Sequence, residues 1–190
     1  MMKTFALTLL VLSGVLALSP DVGGHQRSVN NRKTGKVPGK DTASNPYYIV
    51  IDKSDYEMQI FDDTGWLATY PVVFGSKDLG DKMMEGDKKT PTGEFKVLLK
   101  KTNKRWGLEL LLDYPNEESR KRFAQRKQQG LVPKNARIGD GIAIHGTRPE
   151  SEWAVDNFIN WTDGCISVRH SEMKEIYELI PQGTRVTIKP

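Results

Sequence analysis

The sequence predicts an α+β fold that is mostly β, a β-sandwich or mixed sheet with a few short helices. Short apolar or alternating runs separated by turn residues recur through residues 46–190, as is typical of strands. Only two longer segments have the composition or spacing of a helix. We therefore expect seven or eight strands and two helices around one core, because about 145 residues make one domain.

The domain is predicted to open with an antiparallel meander of three strands. Residues 47–52 form a short apolar run, and residues 56–61 alternate between apolar and polar side chains. The third strand is expected at 66–74. The turn-like segments 53–55 and 62–65 separate the three runs, and short turns between such runs favour antiparallel neighbours.

The rest of the domain is predicted to alternate strands with two helices. Further strands are expected at 94–99, 106–113 and 184–188. A solvated helix is expected at 117–129, and a second helix is expected to be capped by Ser171 and ended by Pro181. The apolar residues of segment 153–161, Trp153, Val155, Phe158, Ile159 and Trp161, are interpreted as core rather than as a flap over a site.

The first 45 residues differ in composition from the rest of the chain. Residues 1–24 are predicted to be a signal peptide or N-terminal anchor, because Lys3 precedes an apolar run shorter than a usual membrane span. Residues 25–45 are predicted to be a flexible basic linker. We therefore expect export to the periplasm or cell envelope, with no membrane contact beyond the anchor.

The charge of the chain argues against a nucleic-acid partner. The net charge of +4 belongs to residues 1–45, and residues 46–190 carry equal numbers of basic and acidic side chains. A neutral domain lacks the basic surface that nucleic acids require. The three histidines and one cysteine show no clustered ligand spacing, so no metal or other cofactor is expected, and we expect a monomer.

The candidate catalytic residues lie in segment 142–168. Cys165 is the only cysteine of the chain, and a solitary thiol in an exported protein is a candidate nucleophile. His145 ends an apolar run and is the candidate base, whose charged form would lower the thiol pKa. Gly164 would let backbone N–H groups approach a reacting carbonyl. The alternative is a small buried cysteine and a core histidine.

Three motifs resemble a known family. In chain order they are GDKKTPTGEF (86–95), IAIHGT (142–147) and TDGCISV (162–168), and as a set they resemble the catalytic domain of the YkuD-type L,D-transpeptidases. The resemblance covers residues 47–189. The stretches LLLDYPN and WTDGC further resemble the YafK-like branch, whose members are exported and lack a separate peptidoglycan-binding module.

The resemblance implies a β-sandwich-like fold and a thioacyl-enzyme mechanism on peptidoglycan stem peptides, without a cofactor. By position, Cys165 would be the nucleophile and His145 its base. The imidazole would be oriented by the carbonyl of Gly146 or a near neighbour, and N–H groups around Gly164 would form part of the oxyanion site. Thr162 stands where the family usually has Ser or Thr before the Gly-Cys pair.

The sequence also departs from the family pattern. Ser167 stands where many relatives have arginine, and Asp163 replaces a histidine common in some branches. Arg169 is the candidate to bind a substrate carboxylate instead, because strand alternation would put it on the face of the nucleophile. Two aromatic residues of the motifs, Tyr114 and Trp161, are further candidate substrate-binding residues.

Four functions remain open at this point. The leading prediction is an exported L,D-transpeptidase, a cysteine acyl-transferase. A hydrolase of the same family, an L,D-carboxypeptidase or amidase, would use the same residues. A sortase-like transpeptidase would also use His, Cys and Arg, although the Gly-Cys pair and the TPTG loop argue against it. The last alternative is a non-enzymatic envelope-binding β-domain with an inert cysteine.

Overall fold

The computed structural model describes residues 45–190. The signal peptide or anchor and nearly all of the linker predicted for the first 45 residues lie outside the described residues. Within the described part, no helix is both long and apolar enough to cross a membrane.

The described residues confirm the mostly-β α+β class. They form eight strands, three α-helices and one short 3₁₀ helix, Pro149–Ser151. The strands are β1 (Tyr48–Asp52), β2 (Glu57–Asp62), β3 (Gly65–Pro71), β4 (Gly93–Asn103), β5 (Gly107–Leu112), β6 (Ala143–Gly146), β7 (Ile166–Val168) and β8 (Arg185–Lys189). The helices are α1 (Glu117–Gln128), α2 (Trp153–Asp156) and α3 (His170–Leu179).

The strands hydrogen-bond in the order β3-β2-β1-β8-β4-β5-β6-β7. The predicted meander is present, because β2 pairs antiparallel with both β1 and β3. Strand β8 is parallel to β1 and antiparallel to the first half of β4. A register shift between Val97 and Leu99 then redirects β4 onto β5. Such bulges bend a strand, so one long strand serves both halves of the sheet.

The sheet is nearly closed by the chain that follows β3. The strand predicted at 66–74 ends at Pro71, and the residues after it leave β2. Val73 instead exchanges two backbone hydrogen bonds with Ser167 of β7, each 2.9 Å long. This bridge brings the two ends of the strand order together beside the predicted nucleophile.

One hydrophobic core fills the inside of this sheet. Buried and half-buried residues alternate along β1 and β2, as the period of a strand requires. Helix α3 adds the buried residues Met173 and Ile176, which are three positions apart. Its N-cap is Arg169 and not Ser171 as predicted, so the helix begins two residues earlier.

The prediction that segment 153–161 is core is wrong for three of its residues. Ala154 and Val155 are buried, but Trp153, Phe158 and Ile159 are about half exposed. Helix α2 has only four residues and buries one face, and Phe158 follows it with a positive φ of 54°. The chain therefore turns outward before Trp161.

Candidate active site

The parallel pairing of β6 and β7 brings Cys165 close to His145. Ile144 is aligned with Ile166, and His145 is aligned with Ser167. Continued by one residue, this register places Cys165 beside Ala143, two residues along the strand from His145. Two residues of a strand span about 7 Å, and positions two apart share a face. The thiol and the imidazole are thus neighbours on one face.

The Cys165 thiol is half-buried and lies against the end of the loop before β6. It donates a hydrogen bond to the Gly141 carbonyl, with an S···O distance of 3.4 Å. Burial raises the pKa of the Cys165 thiol above its ordinary value, and the carboxylates of Glu109 and Asp163 raise it further. The Ala143 N–H and the Lys82 ammonium act in the opposite direction. The resting thiol is therefore protonated and needs a base.

His145 has the surroundings of a neutral general base. Its Nδ1 lies 2.9 Å from the Gly146 carbonyl oxygen. Because a carbonyl only accepts, Nδ1 must carry the proton in this contact, and the Nε2 lone pair remains available. Burial lowers the pKa of His145, and the Gly146 carbonyl and Glu109 partly offset this. A neutral imidazole with a free Nε2 can take the proton of a thiol.

Two tryptophans enclose the imidazole. The ring of Trp106 stacks on His145 with centroids 5.2 Å apart, and the ring of Trp161 meets it edge-on at 5.6 Å. The two indoles contact each other at 4.9 Å. Trp161, a candidate substrate-binding residue, thus packs against the candidate base. Trp106 was not singled out from the sequence, because it lies in the turn before β5 and only the folded chain brings that turn to His145.

Glu109 is a further charged residue of the site that sequence reasoning missed. It is the cross-strand partner of His145 in the β5–β6 pair, and it is only 4% exposed. Lys101 forms an ion pair with it, with an N···O distance of 2.9 Å. A single carboxylate inside the apolar run GLELLL was the available signal, because glutamate is rarely buried without a partner.

The turn before β7 is held by Thr162. Its Oγ1 donates to the Cys165 carbonyl at 2.8 Å and accepts from the Gly164 N–H at 3.2 Å. Gly164 has a φ of +123°, and a Cβ there would lie 2.7 Å from the Lys89 carbonyl oxygen. The Gly164 N–H is therefore occupied, which leaves the Cys165 N–H as the candidate oxyanion donor of this turn.

Arg169 does not lie on an extended strand beside the nucleophile. Strand β7 ends at Val168, and Arg169 is the N-cap of α3. Its Nε donates to Asp156 and its Nη1 to Glu172, both at 2.6 Å. The alternation argument therefore fails, and the guanidinium charge is already paired with two carboxylates.

Tyr114 is a core residue, in contrast to its prediction as a substrate-binding residue. The side chain is buried, its hydroxyl donates to the Ile138 carbonyl at 3.2 Å, and its ring meets Phe95 edge-on. Burial raises the pKa of Tyr114 far above its ordinary value. A stem peptide could not reach this ring without opening the core.

Comparison with known proteins adds independent information about this domain. A model of the YkuD family, described as the L,D-transpeptidase catalytic domain, matches residues 46–188. A curated relative from Bacillus subtilis, named "Putative L,D-transpeptidase YqjB", is 27% identical over 153 residues, which are 74% of this chain and 70% of the relative.

Solved structures share the fold. The helical cell shape determining protein Pgp2 from Campylobacter jejuni aligns with a TM-score of 0.54 and 23% identity, over 76% of this chain and 47% of that one. Bd1075 from Bdellovibrio bacteriovorus aligns with a TM-score of 0.50 and 19% identity, with the same two coverages. The chain thus spans about half the length of these two proteins, and the likeness concerns the fold.

Proposed function

Because the chain belongs to the YkuD family of L,D-transpeptidase catalytic domains, we propose that it is an exported cysteine acyl-transferase acting on peptidoglycan stem peptides. The observation that carries this proposal is the placement of His145 on β6 and of Cys165 immediately before the paired strand β7. A protonated thiol and a neutral imidazole with a free Nε2 are the starting state of a nucleophile activated by a general base.

The first half of the proposed reaction forms a thioester. Nε2 of His145 takes the thiol proton, and the Cys165 sulfur attacks the carbonyl carbon of a peptide bond in the stem peptide. The carbonyl oxygen becomes negatively charged, and the N–H of Cys165 is the candidate donor to it. The imidazolium returns its proton to the leaving amine as the C–N bond breaks.

The second half resolves the thioester. An amine of a second stem peptide attacks the thioester carbon, His145 accepts its proton, and the thiol is restored as the new amide forms. Trp106 and Trp161 cover the imidazole, and Cys165 is only partly exposed. Restricted access of water supports an amine acceptor over hydrolysis. Attack by water would make the protein a carboxypeptidase or amidase instead.

Export forms part of the proposal. The support is the charged and then apolar sequence of residues 1–24 together with the solitary cysteine. Fractionation of cells that express the full chain tests this point. Recovery of the protein in the cytoplasm alone would contradict export without bearing on the chemistry.

The test of the chemistry is mass spectrometry of purified muropeptides incubated with the protein. Cys165→Ala and Cys165→Ser should lower turnover to the background, because the thiol of Cys165 is the proposed nucleophile. Ser167→Ala is the matched control, since Ser167 lies two residues after Cys165 in β7 and its buried hydroxyl has no hydrogen-bond partner among the described residues. Two products whose masses sum to that of the substrate plus one water would indicate hydrolysis, and joined stems would indicate transfer. Turnover by Cys165→Ala would refute the mechanism.

A further inference from the structure

Lys82 is a buried lysine close to the active-site turn. Its side chain is almost fully enclosed, with 4% of the residue exposed. The ammonium group donates to Asp87 at 2.7 Å and to the Lys89 carbonyl at 3.5 Å. An ammonium group is costly to bury unless it is paired and hydrogen-bonded, so its position here is specific.

The ammonium group of Lys82 lies against the peptide that leads into Cys165. A Cβ built on Gly164 would lie 3.5 Å from Lys82 Nζ and 2.7 Å from the Lys89 carbonyl oxygen. Segment 82–89 therefore packs against the turn that presents the thiol. Only glycine at position 164 leaves room for this approach.

The surrounding chain holds Lys82 in place. Arg126 of α1 donates to the Lys82 carbonyl at 2.7 Å and to Asp81 at 2.6 Å. The carboxylate of Asp87 is oriented by three backbone amides of its own loop, those of Met83, Met84 and Lys89. The charge is thus fixed with respect to both α1 and the loop.

We propose that Lys82 is a positioning residue of the catalytic centre, whose buried ammonium group stabilises the negative charge that Cys165 carries as a thiolate. This inference rests on the proposed role of Cys165 as the nucleophile. Besides His145, which takes the proton, the charged groups near enough to act on the thiol pKa are Glu109 and Asp163, which disfavour the thiolate, and Lys82, which favours it. Lys82 is therefore the one cation among them in the described part of the chain.

The test measures the rate at which iodoacetamide alkylates the native protein between pH 6 and pH 10. Cys165 is the only cysteine, so the signal has no background from other thiols. Lys82→Met should slow alkylation about threefold or more at each pH below the midpoint, because the rate follows the thiolate fraction. Lys82→Arg keeps the charge and should restore most of the rate.

Lys53→Met is the matched control for disturbance of the same loop. Lys53 is also buried, and its ammonium donates to the carbonyls of Gly80 and Thr90 at 3.0 and 3.3 Å and to that of Leu79. It is not among the groups that act on the pKa of the Cys165 thiol. The control should lower the melting temperature but leave the alkylation profile unchanged. The inference would be overturned if both variants slowed alkylation equally. It would also be overturned if the alkylation rate of Lys82→Met stayed within about 1.5-fold of the wild-type rate.

Muropeptide kinetics separate this inference from the proposed function. Lys82→Met should lower kcat about tenfold or less while KM changes little. The reason is that the substitution destabilises the thiolate of Cys165 and does not alter the binding of substrate. If Cys165→Ala still turns over muropeptides, the proposed function fails whatever the alkylation shows. If turnover needs Cys165 but Lys82→Met alkylates like wild type, the inference about Lys82 alone fails.

Discussion

The two residues proposed to react are both expected to be neutral at rest, because burial disfavours the charged form of each. Burial raises the pKa of Cys165 and lowers that of His145, so the imidazole is free to accept a proton at neutral pH. The imidazole is neutral and the thiol protonated at pH values above the pKa of His145 and below the pKa of Cys165. We therefore expect kcat/KM to rise with pH through the pKa of His145, below the ordinary histidine value, and to fall in the alkaline range.

Glu109→Gln should move the acidic limb of this profile to lower pH. The carboxylate raises the pKa of His145, so its removal lets the imidazole stay deprotonated in more acidic solution. At the acid end, kcat/KM relative to its own plateau should be about twofold higher or more. The pH dependence of kcat/KM between pH 4.5 and 8 measures this.

Lys101→Met is the control for Glu109→Gln. It removes the partner of Glu109 but leaves the carboxylate beside His145. The acidic limb should then stay in place or move to higher pH, because the carboxylate is less neutralised. A limb that moves in the same direction in both variants would refute the assigned role of Glu109.

At the residue scale the motifs were the informative part of the sequence. They singled out Cys165, His145 and the orienting carbonyl, and the structure places Gly146 in hydrogen-bond contact with the imidazole. Their catalytic roles stay predictions. Trp106 and Glu109 could not be found this way, since their proximity to His145 depends on the β5–β6 register, which no local pattern specifies.

At the element scale the important feature is the turn 162–165, which converts the end of a loop into the start of β7. One hydroxyl bridges the Gly164 N–H and the Cys165 carbonyl, and so fixes the direction of the peptide that carries the thiol. A backbone carbonyl and an N–H held by the same side chain cannot rotate independently. The orientation of the Cys165 N–H therefore depends on Thr162.

Thr162→Val should lower kcat about tenfold and destabilise the protein by about 1 kcal/mol, the typical net value of a lost hydrogen bond. The side chain keeps its shape, so the loss reflects the hydroxyl. Thr162→Ser keeps the hydroxyl and should retain most of the activity. Muropeptide kinetics and chemical denaturation measure the two effects, and equal kcat for valine and serine would contradict this role.

Elements with a clear local sequence pattern were predicted well. Elements whose bounds or burial depend on contacts with other parts of the chain were not. Strands β1 and β2 and helix α1 lie within one residue of their predicted bounds, whereas β3 ends three residues early. Helix α3 begins earlier than predicted, and the Glu172 carboxylate closes its first turn by accepting from the Arg169 backbone N–H at 3.3 Å, a contact that composition did not suggest. The aromatic residues Trp153 and Phe158 have the composition of a core, but the short α2 buries only one face, and both are about half exposed.

At the scale of the whole molecule, the near closure of the sheet brings distant segments to the active-site turn. The chain after β3, the loop before β4 and the turn before β7 come from three separate parts of the sequence. They meet at Gly75, two residues after the Val73–Ser167 bridge. The contact between these three segments could not be predicted from the sequence alone. It depends on the strand order that nearly closes the sheet, and no local sequence pattern specifies that order.

Gly75 marks the closest approach of these three segments. A Cβ there would lie 2.4 Å from the carbonyl oxygens of both Lys88 and Thr162, and 2.8 Å from the Gly164 nitrogen. All three are backbone atoms, which cannot rotate away as a side chain could. Unlike many glycines of the chain, Gly75 does not have a positive φ, so any cost of a side chain here is steric.

Gly75→Ala should therefore lower the free energy of unfolding by about 3 kcal/mol, the upper part of the usual range for overpacking. Gly107→Ala is the control, because nothing lies within 4 Å of its Cβ and its φ of +76° adds only backbone strain, about 1–2 kcal/mol. Gly75→Ala should also lower kcat, since relief of the clash must displace the turn that carries Cys165, whereas Gly107→Ala should not. Chemical denaturation and muropeptide kinetics test both points. If Gly75→Ala proves no more destabilising than Gly107→Ala and fully active, the three segments are not packed as tightly as closure of the sheet requires.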